Sequence, residues 1–269
     1  MMLTHPTYDL LLALGLIGMA KALDEQRRQH NVEDLSFEER LGLLVDREAV
    51  ERETKRLVIR LKYANLRQNA VVEDLDTHAP RSLDKALFAK LANGEWIARR
   101  QDLLITGKTG TGKSWLACAL GQKACRDDRS VLYYRVPRLL DALALARGDG
   151  RYPRLLKSLA RVELLILDDW GLAPLTSQQG RDLLEIIDDR HGRGSTILTS
   201  QIPVKHWHEL IPDPTIADAI LDRFVHTSHR LELDGPSLRP TAAKRTEPVA
   251  MATRGTEQLA TKPAKGAKK

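Results

Sequence analysis

Hydrophobic positions recur along this chain with two periods, and the change from one to the other divides it. Over residues 7–30, Leu10, Leu11, Leu14, Ile17, Ala20 and Leu23 fall at helical spacing before the chain turns polar, which predicts one amphipathic or buried helix. A second helix is predicted from Ser36, whose hydroxyl can cap it, with Glu39 as reciprocal partner in a capping box. Up to about residue 70 only Gly42 interrupts it; Val50, Leu57, Leu61 and Ala64 form an apolar stripe. Arg52, Lys55, Arg56, Arg60 and Arg67 align on another, basic face. Residues 76–82, DTHAPRS, break the helix, and a shorter helical pattern covers 83–91.

Beyond that break, short apolar runs alternate with helical ones. Runs ending at Gly107, at 130–136 (SVLYYRV), at 164–169 (LLILDD), at 195–200 (STILTS) and at 230–233 read as strands. Helices are predicted from Gly112 through Leu120, over 137–147 and over 217–224, with an exposed loop at 147–152. The expected fold class is α/β: a central parallel sheet flanked by helices, preceded by a small all-helical region. Trp96 and Ile97 lead into the first strand and fit either an adenine site or plain core.

The stretch LLITGKTGTGKS organises the rest. Gly107, Lys108, Thr109, Gly110, Thr111, Gly112, Lys113 and Ser114 match G-x-x-x-x-G-K-[ST] in full, after a strand and before a helix. The glycines let backbone N–H groups converge on phosphate oxygens, and the following helix points its positive end at the same anion. Lys113 is then placed for the β and γ phosphates and the Ser114 hydroxyl for Mg²⁺, which makes ATP and Mg²⁺ the expected cofactors.

A second motif follows at the end of LLILDD. A carboxylate there, beside a phosphate loop, is the position of a Walker B acid: Asp168 is the candidate Mg²⁺ residue, and Asp169 the candidate to orient attacking water. SVLYYRV lies between the two motif strands in sequence, so those strands need not be neighbours in the sheet, as in the NTPase branch that activates water. Thr199, Ser200 and Gln201 end the fourth strand, either as a γ-phosphate sensor or as simple strand termination. In ADAILDRF, Arg223 stands at a helix end, as a trans-acting arginine or as a surface ion pair.

Composition changes the picture little. The chain has 269 residues, 42% of them hydrophobic, and a net charge of +6. Residues after Arg239 hold seven basic against two acidic side chains, so residues 1–239 carry about +1 and only local placement of charge speaks for DNA. The basic helix face fits phosphate-backbone binding and equally a solvated face paired with Glu48, Glu51 and Glu53. Cys118 and Cys125 read as reduced core residues of a cytoplasmic protein. The apolar run 10–19 is too short to span a bilayer. His206, His208, His226 and His229 lack partners at metal-site spacing. The tail from residue 240 is expected to be disordered.

GKTGTGKS, LLILDDWG, TSQIPVKHW and PTIADAILDRFVH, with LSFEERLGLLVDRE and VEDLDTHAPRSLDKA upstream, resemble the IstB-like transposition helper ATPases. Those proteins share the AAA+ nucleotide domain with the DnaC helicase loaders, and the resemblance spans about residues 10–239. It implies an ATPase that oligomerises on duplex DNA and activates a partner transposase, with no membrane association. It also implies a helical DNA-binding and oligomerisation region over 1–78 and an AAA+ domain over 79–239, while composition alone marks residues 240–269 as a basic tail. By the same resemblance Arg223 is the trans-acting arginine, Arg239 a second sensor, and Arg52, Lys55, Arg56, Arg60 and Arg67 contact DNA. Asp169 stands where many AAA+ proteins carry glutamate. The alternatives are a DnaC-like helicase loader, acting on single strands, and a small-molecule kinase.

Overall fold

The computed structural model describes residues 6–29, 34–225 and 228–238. In chain order these form α1 (Pro6–Ala13), α2 (Ile17–Arg28), α3 (Phe37–Ala64), α4 (Lys85–Ala92), α5 (Glu95–Ala98), β1 (Leu103–Gly107), α6 (Lys113–Arg126) and β2 (Val131–Arg135). The remainder is α7 (Val136–Gly148), α8 (Tyr152–Arg161), β3 (Leu164–Trp170), α9 (Ser177–Arg190), β4 (Ser195–Ser200), α10 (Pro214–Val225) and β5 (His229–Leu233).

The first helix of the sequence reading is two. Gly15 adopts φ 73° and turns the chain between α1 and α2, a conformation that glycine enters without a Cβ penalty. No side chain caps the start of α2 from its own sequence. Instead Glu48 of α3, 7% exposed, accepts from the N–H groups of Gly18 at 2.7 Å and Met19 at 3.2 Å, placing a carboxylate on a positive helix end. The two helices cross so closely at Gly18 that a Cβ there would lie 2.6 Å from the Arg47 carbonyl oxygen.

Helix α3 begins as expected, with the reciprocal Ser36–Glu39 capping box. It ends earlier than the pattern suggests, at Asn65 in the left-handed region with φ 50°. Its apolar stripe holds only in the second half. Leu57, Leu61 and the fully buried Ala64 join the core beside α6, whereas Val50 is 56% exposed.

The five strands are all parallel, in the order β2-β3-β4-β1-β5. The phosphate-loop strand and the acid-bearing strand are indeed apart, and the strand that separates them in space is β4. SVLYYRV, which separates them in sequence, stands at the sheet edge. Layers of helices bury both faces, as an all-parallel sheet requires. One core joins α3, α4, α5 and α6 to the sheet around Leu103, Ile105, Leu116 and Ile166, and includes Trp96, Ile97, Cys118 and Cys125. Trp96 and Ile97 are therefore core, with the indole N–H donating to the Leu91 carbonyl. The other core joins α7, α8, α9 and α10 around Leu139, Leu167 and Leu198, with the rings of Trp170 and Trp207 in tilted contact, centroids 5.6 Å apart. Helices α8 and α9 were not assigned from the sequence. Among the described residues no helix is long and apolar enough to cross a membrane.

Candidate functional site

Between β1 and α6 the loop from Gly107 to Ser114 folds back on itself. Gly107, Gly110 and Gly112 take φ of 149°, 87° and 94°, so the motif's glycines occupy backbone that L side chains rarely adopt. Space demands them as well. A Cβ on Gly107 would strike the Leu233 carbonyl oxygen, and one on Gly110 would strike the Ser237 hydroxyl. Residues 233–238 thus back the loop, and Leu238 N–H donates to the Gly110 carbonyl at 2.9 Å. Lys113 is buried, its ammonium donating to the carbonyls of Gly107 at 2.7 Å and Lys108 at 2.8 Å. Thr111 Oγ1 donates to the Lys108 carbonyl and Thr109 Oγ1 to Gln201 Oε1. Lys108 faces solvent in an ion pair with Asp234 at 2.9 Å.

Strand alternation alone would send consecutive carboxylates to opposite faces of the sheet. The β3–β4 ladder shifts register between Leu167 and Trp170, and Asp169 takes φ 65° in that bulge. Both acids consequently reach one site. Asp168 is fully buried and its Oδ1 accepts from Ser114 Oγ at 2.8 Å and Thr199 Oγ1 at 2.5 Å. Its Oδ2 accepts from the Tyr133 hydroxyl at 2.5 Å. Burial, and then the bond to Asp168, push the Tyr133 hydroxyl far up from its ordinary range, so it stays a donor. Asp169 Oδ2 accepts from Arg135 Nε at 2.8 Å. Arg67 Nη1 bridges the acids, 3.5 Å from Asp168 and 3.6 Å from Asp169.

Three of the expected residues, Lys113, Ser114 and Asp168, thus meet at the end of β1 and β3, with Asp169 adjoining them. A hydroxyl and a carboxylate oxygen 2.8 Å apart are hard donors suited to Mg²⁺, and the glycine-lined loop suits a phosphate chain. Ser200 is not turned to the loop: its hydroxyl donates to the Trp170 carbonyl at 2.9 Å and accepts from Ile202 N–H. Gln201 makes that contact. Arg223 lies outside the loop, in an ion pair with Asp188 and donating to the Ala219 carbonyl. Arg239 and the tail lie outside the described residues.

The five basic residues do not share one face in space. Lys55 and Arg56 are exposed, and Arg52 pairs with Glu48 at 2.7 Å. Arg60 turns inward, donating to the Cys125 carbonyl at 3.0 Å and pairing with Asp128. Arg67 is past the end of α3 and sits on the acids, because Asn65 terminates the helix first. Sequence reasoning missed this and also missed Tyr133 and Arg135; Thr199, singled out as a candidate sensor, instead holds Asp168. The available signal was that C-terminal ends of neighbouring parallel strands converge on one site.

Residues 10–246 match the family of IstB-like ATP-binding proteins. An insertion-sequence ATP-binding protein of Sinorhizobium fredii is 60% identical over 238 residues, which is 88% of this chain and 97% of that one. The ATP-binding protein of insertion sequence IS1162 from Pseudomonas fluorescens is 54% identical over 203 residues, 75% of this chain and 88% of the relative. Among solved structures, DnaI superposes with a TM-score of 0.51 at 21% identity, covering 61% of this chain and 91% of its own. DnaA bound to AMPPCP and single-stranded DNA gives 0.52 at 19%, covering 63% and 52%. At such identities the likeness speaks for the AAA+ P-loop fold alone. With the family model matching residues 10–246 and relatives 60% and 54% identical over most of its length, this protein belongs to the IstB-like ATP-binding family.

Proposed function

We propose that this chain is an ATP-dependent regulator of transposition, a Mg²⁺-dependent ATPase that assembles on duplex DNA and activates a partner transposase in the cytoplasm. The observation that carries the ATPase reading is the Ser114–Asp168 hydrogen bond beneath the phosphate loop, with Asp169 brought alongside by the bulge. Mg²⁺ held there supplies charge neutralisation for the phosphates. Lys113 binds the β and γ phosphates, releasing its present carbonyl partners to do so. Asp169 orients the attacking water and accepts its proton.

Coupling to DNA is read from α3. Arg52, Lys55 and Arg56 lie on the exposed part of this helix and follow a phosphate backbone without sequence choice. The same helix ends just before Arg67, the cation on the acid pair. Movement of α3 on DNA therefore changes the charge facing Asp169. Residues 1–78 form the DNA-binding and oligomerisation region and 79–239 the ATPase domain. In an assembly, Arg223 exchanges Asp188 for the γ-phosphate of a neighbouring copy.

The test is phosphate release by the purified protein alone, with duplex and with single strands, against Lys113→Ala. Stimulation by duplex that vanishes in the variant is expected. A response to single strands alone would instead indicate a helicase loader, and indifference to all DNA would refute DNA regulation.

A further inference from the structure

Arg81 stands in the 76–82 segment, which the sequence marks only as a boundary. Its side chain is 4% exposed, and burial pulls its pKa down from the ordinary arginine range. Nη2 donates to the Asp76 carbonyl at 3.1 Å, while Nε is buried with no hydrogen-bond partner. Among the described residues no carboxylate is within ion-pair distance of it. A buried guanidinium so poorly matched is costly to the fold unless an anion completes it.

The surroundings identify the anion. Nη1 lies 2.8 Å from the place a Cβ on Gly112 would take, so the guanidinium abuts the turn from the phosphate loop into α6. That turn presents backbone N–H groups and a positive helix end to a phosphate. Arg81 is also pinned from behind. A Cβ on Gly235 would strike the Pro80 carbonyl and lie 3.1 Å from Arg81 Cα, so residues 233–238 clamp this segment as well as Gly110. Arginine is suited to this place because its planar fork can give two parallel hydrogen bonds to one phosphate group.

We infer that Arg81 is a nucleotide-binding residue, its guanidinium holding a phosphate shared by ATP and ADP from beside Gly112. The inference rests on the phosphate loop binding nucleotide. Because the phosphate is common to both nucleotides, Arg81 acts on binding of ADP and ATP alike, unlike Arg223, which is assigned to the γ-phosphate.

The experiment compares the parent, Arg81→Met, Arg81→Lys and Lys113→Ala by calorimetric titration with ADP and AMPPCP, and by melting without nucleotide. Arg81→Met should lose about tenfold or more in affinity for both ligands, as for loss of a charge-assisted contact, with Arg81→Lys intermediate. The nucleotide-free Arg81→Met protein should melt at or above the parent, because a buried charge without an ion pair has been removed. Unchanged affinity in Arg81→Met would overturn the inference. A weakened ligand affinity accompanied by a melting temperature several degrees below the parent would overturn it too, since the role would then be structural. Failure of the parent to bind, or full binding by Lys113→Ala, would sink the phosphate-loop reading and this inference with it.

Discussion

Replacing Arg67 by alanine removes the cation that sits 3.5 Å from Asp168 and 3.6 Å from Asp169. At an effective dielectric near 20, unit charges at such a separation attract by roughly 4–5 kcal/mol. The Arg67 side chain is 43% exposed, so solvent reduces its hold on the acids. What remains is about 1 kcal/mol, the scale of an exposed pair. Asp169 keeps its orientation, because Arg135 still donates to the same carboxylate oxygen at 2.8 Å. It loses the cation that occupies its carboxylate in place of the attacking water. Releasing ~1 kcal/mol of restraint raises turnover without DNA about fivefold and lowers the stimulation by duplex by a similar factor. Arg67→Lys, which keeps the charge, should stay nearer the parent. The assay is phosphate release at saturating Mg²⁺-ATP with and without duplex, alongside melting curves in which the variant falls by no more than about 1 kcal/mol. Basal turnover unchanged or reduced, with stimulation intact, would refute the idea that Arg67 restrains Asp169.

Two further outcomes are expected. Asp102 accepts from Thr196 N–H at 2.6 Å, and burial pushes its carboxyl up to about 6. The folded chain therefore holds this proton more tightly than the unfolded chain does. That contribution is present at about pH 4 and is lost as pH rises through 6, so Asp102→Asn should raise the melting temperature more at pH 8 than at pH 4.5. A larger gain at the acid end would contradict the sign. Arg223→Ala and Lys113→Ala should each be inactive, yet regain partial turnover when mixed, since an intact loop can then meet an intact arginine across copies. No recovery in mixtures would confine Arg223 to its pair with Asp188.

Features encoded by contiguous residues were legible in the sequence, and those that need several segments were not. The phosphate loop and the Ser36–Glu39 box are local patterns, each with backbone geometry that few other residues satisfy. The strand carrying Asp168 was legible from its apolar run, but the bulge that gathers both acids was not, because it arises in pairing with β4. Arg67 was misplaced by helical periodicity. The pattern continues past Asn65, whereas the chain enters the left-handed region there and swings the arginine onto the acids. Tyr133 and Arg135 carry no motif of their own, and the strand end at Thr199 gave no sign of its bond to Asp168. They matter because β2 and β4 end where β3 ends.

The position of β1 inside the sheet governs when the site comes into being. Leu103 pairs with Ile197 on one side and with His229 on the other, so both neighbours of this interior strand lie far downstream in the chain. Contacts at such separation form late, after loop-closure entropy has been overcome. Until β5 and residues 233–238 arrive, one edge of β1 offers unpaired N–H and C=O groups, and the loop has no backing at Gly107 and Gly110. A product of translation halted between β4 and β5 would therefore contain every residue of both nucleotide motifs and yet present a sticky open edge instead of a pocket. Nucleotide capture is in this sense a certificate of completed folding, and ATP stabilises only chains that have reached it.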